Sequence, residues 1–379
     1  MNSTKPPKRP LLKKKSTRVA LVLLALAMAA VWLFRPDAPP VPPGSGEPMQ
    51  AIVYDDYGTA DVLRLAAIEK LLPLDHQVLI RVHAAAANPL DWHYMRGTPY
   101  IMRLDSGLLK PTSSRLGVDV AGRVVAVGKT VTRFKPGDEV FGTGRGAFAE
   151  YVLASEKNLA LKPASVRFEQ AAAVPIAALT ALQGLRDKGN IQAGQKVLIN
   201  GASGGVGTFA VQIAKSFDAE VTGVCSTRNV ELVRSLGADH VIDYTKEDFT
   251  QGDVQYDLIL DNVGNHPLLA VRRAMSPDGH YVLIGGGGPD AGKWIGPMLG
   301  PIKGLLLSPF VSQQFVMLLA EINKDDLAVM SEMMEAKQVK PVIDRTYPLN
   351  EVPEAIRYLE TGRARGKVII SMERDDGAG

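Results

Sequence analysis

From Met49 onward the chain alternates short apolar runs with turn residues, and the rhythm changes partway along. "QAIVYDDYG", "HQVLIRVHAAAANP", "GVDVAGRVVAVGK", "GDEVFGTG" and "AFAEYVLASE" are closely spaced strand patterns broken by Gly and Pro. They predict a compact, barrel-like all-β unit. From about Ala173 the order becomes "VLIN", helix, "EVTGVC", helix, "HVID", "YDLILDNVG", helix, "HYVLIGGG". This strand–helix alternation predicts an α/β region with a doubly wound parallel sheet. Val197, Leu198 and Ile199 form the continuous apolar run that a strand buried on both faces needs, and Val206, Phe209, Ala210, Ile213, Ala214 and Phe217 recur at helical spacing. A methionine-rich helical stretch follows, then "KPVIDRTYPLN", the helix "VPEAIRYLETG" and "GKVIISM". These last strands look like those of the first unit, so the chain is expected to return to it. No internal repeat is visible.

Ahead of Met49 the pattern is of another kind. Residues 1–18 are basic, and Val19–Phe34 are sixteen uncharged apolar residues. As a helix these would span about 24 Å, slightly short of a hydrocarbon core of about 30 Å. Seven basic residues precede the run and only Arg35 closely follows it, which predicts a membrane-anchor helix over 19–34 with a cleavable signal peptide as the competitor. Residues 35–48, "RPDAPPVPPGSGEP", read as a proline-rich, extended linker. The anchor conflicts with a cytosolic cofactor if it spans. A membrane-associated amino terminus is therefore expected with the side of the folded part undecided, the cytoplasmic face being favoured by cofactor need. Met49 as a start site, leaving residues 1–48 unmade, stays open.

Composition sharpens two exclusions. Residues 1–48 carry eight basic and two acidic side chains, a net +6, so the formal +3 of the whole chain leaves −3 for residues 49–379. A mildly acidic folded part lacks the electrostatic footprint of a nucleic-acid binder. Cys225 is the single cysteine, so neither an intrachain disulfide nor a cysteine-based zinc cluster can form within one chain. The six histidines show no H-x-x-x-H or H-E-x-x-H spacing.

The chemistry concentrates in "VLINGASGGVGTFAVQIAK". Strand, glycine cluster and amphipathic helix in this order form a variant of the dinucleotide-binding fingerprint over Ala202, Ser203, Gly204, Gly205, Val206 and Gly207. Ala202 is taken to stand for the first glycine, Gly204 to let backbone approach a pyrophosphate, and Gly207 to let helix and sheet pack closely. The following strand, "EVTGVCSTRN", ends without the acid that holds an NAD ribose and instead offers Ser226, Thr227 and Arg228. Two hydroxyls and a guanidinium suit a 2′-phosphate, so NADPH is the expected cofactor.

"MQAIVYDDYG", "NPLDW", "GVDVAGRVVAVG", "FKPGDEVFG", "VLINGASGGVG", "LGADHVIDY", "DNVG" and "ARGKVII", in this order, resemble the medium-chain dehydrogenase/reductase superfamily, specifically its zinc-free quinone oxidoreductase branch. The likeness runs from Met49 to about Met372. It implies a GroES-like catalytic domain over 49–172 and again over 321–372, a Rossmann NADP-binding domain inserted over 173–320, and a short tail over 373–379. Zinc dehydrogenases of the superfamily carry a Cys and a His where this chain has Asn88 and Val118, so no metal site is expected. By resemblance Asn88 lies in the cleft as a donor to a developing oxyanion, with Pro89 and Asp91 shaping its turn. Tyr94 and His93 are the possible proton donors. Thr180 and Val263–Gly264 should approach the nicotinamide, Tyr244 the adenosine 2′-phosphate, and Gly366–Lys367 should close over the cofactor.

The expected function is zinc-independent transfer of hydride from NADPH to a small lipophilic quinone or α,β-unsaturated carbonyl compound. The alternative is a membrane-tethered NADPH-binding sensor or scaffold without catalysis. A homodimer is implied by the resemblance. The apolar segment "KWIGPMLGPIKGLLLSPF" is expected to be a dimer contact, with the substrate mouth and the membrane as its other possible places.

Overall fold

A computed structural model of the chain describes residues 42–285 and 311–372. The first part holds seven strands: β1 (Gly44–Val53), β2 (Arg64–Leu71), β3 (Gln77–Ala87), β4 (Asp119–Val127), β5 (Glu139–Thr143), β6 (Tyr151–Ser155) and β7 (Leu159–Leu161). Next come β8 (Lys196–Asn200), β9 (Glu220–Cys225), β10 (His240–Asp243), β11 (Tyr256–Asp261), β12 (Met275–Leu283) and β13 (Gln314–Met317). β14 (Ile343–Pro348) and β15 (Lys367–Ser371) end the described chain.

β8 to β13 form one six-stranded sheet in the order β10-β9-β8-β11-β12-β13, with every pairing parallel. Such a sheet needs cover on both faces, and β8 shows how the sequence supplies it. Val197 and Ile199 join the core that includes Phe209, Ala210, Ile213 and Ala214 of the Gly205–Ser216 helix. Leu198 faces the opposite core, with Ile259, Val271 and Tyr281. All three β8 residues are fully buried. The methionine-rich stretch forms the Lys324–Glu335 helix, whose buried Met330, Met333 and Met334 pack into the first of these cores.

The second sheet has the path β14-β15-β3-β4-β5-β7, with β6 also pairing β3. β15 lies antiparallel to β3, from Val368 opposite Ala87 to Ser371 opposite Ala84. The last strands therefore return to the sheet begun by the first, and the parallel sheet is an insertion between them. This is the α/β fold of a Rossmann-like sheet combined with a GroES-like domain.

Three strands had no clear pattern. β2 has no buried residue and pairs with β1 alone, so it needs no strong apolar alternation. β7 and β13 have three and four residues, too short for a period to show. The proline-rich linker is a partial correction. Gly44–Pro48, expected to be spacer, belong to β1, with Gly44 opposite Leu71 and Pro48 opposite Glu69. The sheet edge takes them in because an edge strand tolerates Pro. The 19–34 apolar run, Lys293–Phe310 and the 373–379 tail lie outside the described residues. No helix among the described residues is long and apolar enough to cross a membrane.

Candidate active site

The strand order of the parallel sheet reverses between β8 and β11, and their carboxyl ends open the crevice where such sheets bind ligands. The turn after β8 fills one side of it. Gly201 has φ +77°, a left-handed conformation that favours glycine, and so makes the tight turn. This corrects the place given to Ala202, which is fully buried instead, its N–H donating to the Val224 carbonyl at 3.0 Å. Gly207 has the expected packing role: a Cβ there would sit 2.1 Å from the Gly201 carbonyl oxygen and 2.7 Å from Ala202 Cα. Gly204 precedes the helix without a capping side chain, leaving the Val206 N–H to a ligand, while the Gly205 N–H faces the Gly366 carbonyl across the Gly204–Gly366 bridge. A Cβ at Gly204 would meet only the Gly201 carbonyl, at 3.5 Å, so space exists there for a phosphate.

The far side of the crevice is built around an acid the pattern reading overlooked. Asp261, fully buried at the end of β11, accepts from the N–H groups of Val263 and Gly264, each at 2.9 Å. It also accepts from Asn200 Nδ2 at 2.9 Å and the Tyr281 hydroxyl at 2.8 Å. Four bonds thus converge on Asp261, two of them fixing Val263 and Gly264, and Val263 lies beside Gly201: a Cβ on Gly201 would be 2.9 Å from its Cγ2. A lone Asp closing the apolar run "YDLILD" was the available signal, since a buried carboxylate must find donors.

Gly366 and Lys367 lie against the glycine turn. Gly366, at φ +89°, donates its N–H to the Ser203 carbonyl at 2.9 Å, and it bridges Gly204 in parallel. Lys367 crosses Gly205, where an added Cβ would be 3.2 Å from Lys367 Cδ. Its ammonium then turns into its own domain, donating to Asn88 Oδ1 at 2.5 Å and to Asp119 Oδ2 at 3.1 Å.

This cluster corrects the role given to Asn88. Both amide hydrogens are already donated, to the Ala86 carbonyl at 3.2 Å and to Asp119 Oδ2 at 2.9 Å, and the residue is 2% exposed. No hydrogen is left for an oxyanion. Asp119 Oδ1 accepts from the Ile176 N–H at 3.0 Å, which ties the start of the Pro175–Gln183 helix into the cluster. Burial raises the Asp119 carboxyl above its ordinary value, opposed by the Lys367 ammonium and the amide donors. Thr180, in the same helix, donates its hydroxyl to the Ile176 carbonyl at 2.6 Å.

At the outer edge Ser226, Thr227 and Arg228 follow β9 as expected, but an acid is also present. Asp243, at the end of the neighbouring β10, accepts from the Thr227 hydroxyl at 2.6 Å and the Thr245 hydroxyl at 2.7 Å. These bonds, Thr227 first, hold its carboxyl well below the usual carboxylate range. Arg228 donates to the Arg363 carbonyl at 2.6 Å. Ser226 and Ser203 both accept from Asn229 Nδ2, and Tyr244 stands 61% exposed beside them.

Next to the Asn88 turn a cavity of 360 Å³ opens, walled by Tyr54, Asp91, Tyr94, Arg115 and Val118 among others. Asp91 Oδ2 accepts the Asn88 backbone N–H at 2.7 Å, so Asp91 shapes the turn as expected. It is completely buried, and this burial pushes its carboxyl up to about 7. Tyr94 lines the cavity. His93 instead places Nδ1 2.6 Å from the Thr98 carbonyl, and burial lowers its pKa. Tyr54, unassigned by motif, has its phenol pushed up to about 12 by burial and makes no side-chain hydrogen bond to a described residue. Among the described residues no group of three or more His, Cys, Asp or Glu is placed to hold a metal ion.

The alcohol dehydrogenase GroES-like domain matches residues 74–164, and a family described as zinc-binding dehydrogenase matches residues 236–370. The mouse mitochondrial NAD(P)H oxidoreductase RTN4IP1 is 35% identical over 93% of this chain and 98% of its own. The chloroplastic NADPH-dependent alkenal/one oxidoreductase of Arabidopsis thaliana is 36% identical, over 85% of this chain and 79% of its own. Among solved structures, the quinone oxidoreductase of Coxiella burnetii superposes with a TM-score of 0.74 at 30% identity, over 86% of this chain and 100% of that one. The expected membrane localisation through a single amino-terminal helix is corrected by these findings. The relatives are named for mitochondria and chloroplasts, and no described helix can span. Sixteen apolar residues flanked by charge make a pattern that a bilayer anchor shares with other amino-terminal segments.

Proposed function

The chain belongs to the medium-chain dehydrogenase/reductase superfamily, in its quinone oxidoreductase-like branch, and we propose that it reduces a quinone or α,β-unsaturated ketone with NADPH and without zinc. The observation that carries this reading is the junction where Gly366–Lys367 lies against the Ser203–Gly205 turn, beside the cavity at the Asn88 turn. The uncapped Val206 N–H at the helix start and the Gly204 space fit a pyrophosphate, and Arg228 fits the 2′-phosphate. NADPH held there supplies a hydride to the β-carbon of the acceptor.

The protein's own part is to position the acceptor and meet the negative charge that develops on its carbonyl oxygen. Asn88 cannot do so directly and acts as a positioning residue, locking Lys367 and Asp119 together. The Tyr54 hydroxyl is the donor we assign to that oxygen. It lines the cavity, and it is free of other bonds to described residues. Tyr94 offers a second hydroxyl on the same wall. The proton completing the reduction reaches the α-carbon from solvent.

The test is NADPH oxidation against a panel of quinones and enones after exhaustive chelation, with Tyr54→Phe as the probe. Turnover should persist without metal, and Tyr54→Phe should lower kcat about 10²-fold while NADPH affinity stays within twofold. A chelated protein that binds NADPH but reduces nothing in the panel leaves the sensor reading standing instead.

A further inference from the structure

The cavity is less apolar than a wholly lipophilic substrate requires. Arg115, in the segment leading to β4, is half-buried in its wall, and its guanidinium makes no hydrogen bond and no ion pair with any described residue. Its position is built. The backbone bridges Val53 in β1, and Gly146, at φ +89°, leaves room for its stem: a Cβ on Gly146 would lie 2.9 Å from Arg115 Cβ and 3.2 Å from Nε. Burial lowers the Arg115 pKa, a sign of a cation without its counter-charge. An uncompensated cation in such a place is costly unless a ligand supplies the missing charge.

The other charged groups of the wall do not supply it. Asp105 lies 4.0 Å from Arg145, in a loose pair of two exposed side chains. Asp91, completely buried in the wall, holds the Asn88 N–H and makes no ion pair with Arg115. Arg145 therefore adds a second cation at the rim.

We propose that Arg115, aided by Arg145, binds a carboxylate carried by the substrate, so that the preferred acceptor is an enone or quinone with an acidic side chain. The planar guanidinium fork matches a carboxylate in two parallel hydrogen bonds. The cavity, 360 Å³, suits a small acceptor with one short side chain. This inference rests on the reductase reading above, and the experiment separates the two.

The probes are (E)-7-oxooct-5-enoate and its methyl ester, whose enones are identical because three methylenes insulate them from the charge. With NADPH, the wild-type protein should favour the acid at least tenfold in kcat/KM, and Arg115→Met should cut the acid-to-ester ratio at least fivefold. Arg145→Met should cut it less. Equal efficiency on both compounds, or an Arg115→Met protein that keeps the wild-type ratio, overturns the carboxylate site and leaves the reductase reading intact. Reduction of neither compound overturns the carboxylate site, and the quinone and enone panel then decides the reductase reading by itself. Should Arg115→Met fail to fold, the wild-type ratio decides alone.

Discussion

The cofactor crevice ends in two polar clusters made of similar parts and governed by different physics. At the inner end Asn88, Asp119 and Lys367 are 2%, 0% and 3% exposed and joined by a closed set of hydrogen bonds. At the outer end Arg228 bonds a backbone carbonyl at the surface, Thr227 bonds Asp243, and Tyr244 is open to solvent. Each cluster sets a cation and a carboxylate beside hydroxyl or amide groups. Water screens the outer one and is excluded from the inner one. The inner cluster should therefore govern stability and the alignment of the two domains, while the outer cluster should govern only which cofactor is preferred.

The sharpest way to break this contrast is to remove one inner partner. Asp119→Ala leaves the Lys367 ammonium buried with Asn88 Oδ1 as its only remaining acceptor among the described residues, and should cost about 3–5 kcal/mol in urea unfolding. Replacing the pair together, Asp119→Leu with Lys367→Met, should recover most of that loss, since the cost lies in the orphaned charge. A loss below about 1 kcal/mol in the single variant would place the inner cluster in the same class as surface pairs.

Asp91 extends the contrast to pH. Its folded-state pKa, about 7, lies well above the usual value of about 3.9 for an unfolded chain, so between these values the folded protein binds more protons than the unfolded one. Stability from this group is therefore fully present below about pH 4 and is lost as pH rises to about 7. Asp91→Asn lacks that slope. Relative to wild type it should gain stability progressively across this window, by up to a few kcal/mol, and gain nothing more above it. A wild-type-minus-variant difference that is flat from pH 4 to 7 would show Asp91 to be ionised throughout.

Between these clusters lies the glycine turn, where a smaller effect is expected and where the sequence was most readable. The strand–glycine–helix order located the turn correctly, because apolar continuity followed by helical periodicity is a one-dimensional pattern. It gave the first-glycine place to Ala202 because that residue keeps the fingerprint spacing, whereas the left-handed φ that needs a glycine falls one residue earlier, at Gly201, and spacing does not record φ. Asp119, Asp243 and Asp261 were harder to see. Each also takes donors that other strands and turns bring to it: Lys367 for Asp119, Thr227 for Asp243, Asn200 and Tyr281 for Asp261. Isolated acids inside apolar strands were the only trace they left. Arg115 left none, for an unpaired cation looks like any surface arginine until its burial is known. Gly207→Ala tests the turn itself. With 2.1 Å to the Gly201 carbonyl the methyl must push helix from strand, costing about 1–3 kcal/mol in stability and at least tenfold in NADPH affinity, measured by urea unfolding and by fluorescence titration.

The smallest effect belongs to the outer edge. Arg228→Ala should lower the ratio of NADPH to NADH affinity about tenfold and leave the urea midpoint unchanged, because its side chain bonds, among the described residues, the Arg363 carbonyl at the surface. The preference should also weaken in the unmodified protein as salt rises, as expected for an exposed cation meeting a phosphate. Asp243 limits how large it can be: the Thr227 and Thr245 bonds that hold its pKa down keep it ionised at any working pH, so a carboxylate stands bonded to Thr227, one of the hydroxyls assigned to the 2′-phosphate. An Arg228→Ala protein that keeps the full wild-type ratio would move recognition of the 2′-phosphate to Ser226 and Tyr244. One that loses several kcal/mol of stability would erase the distinction between the two ends of the crevice.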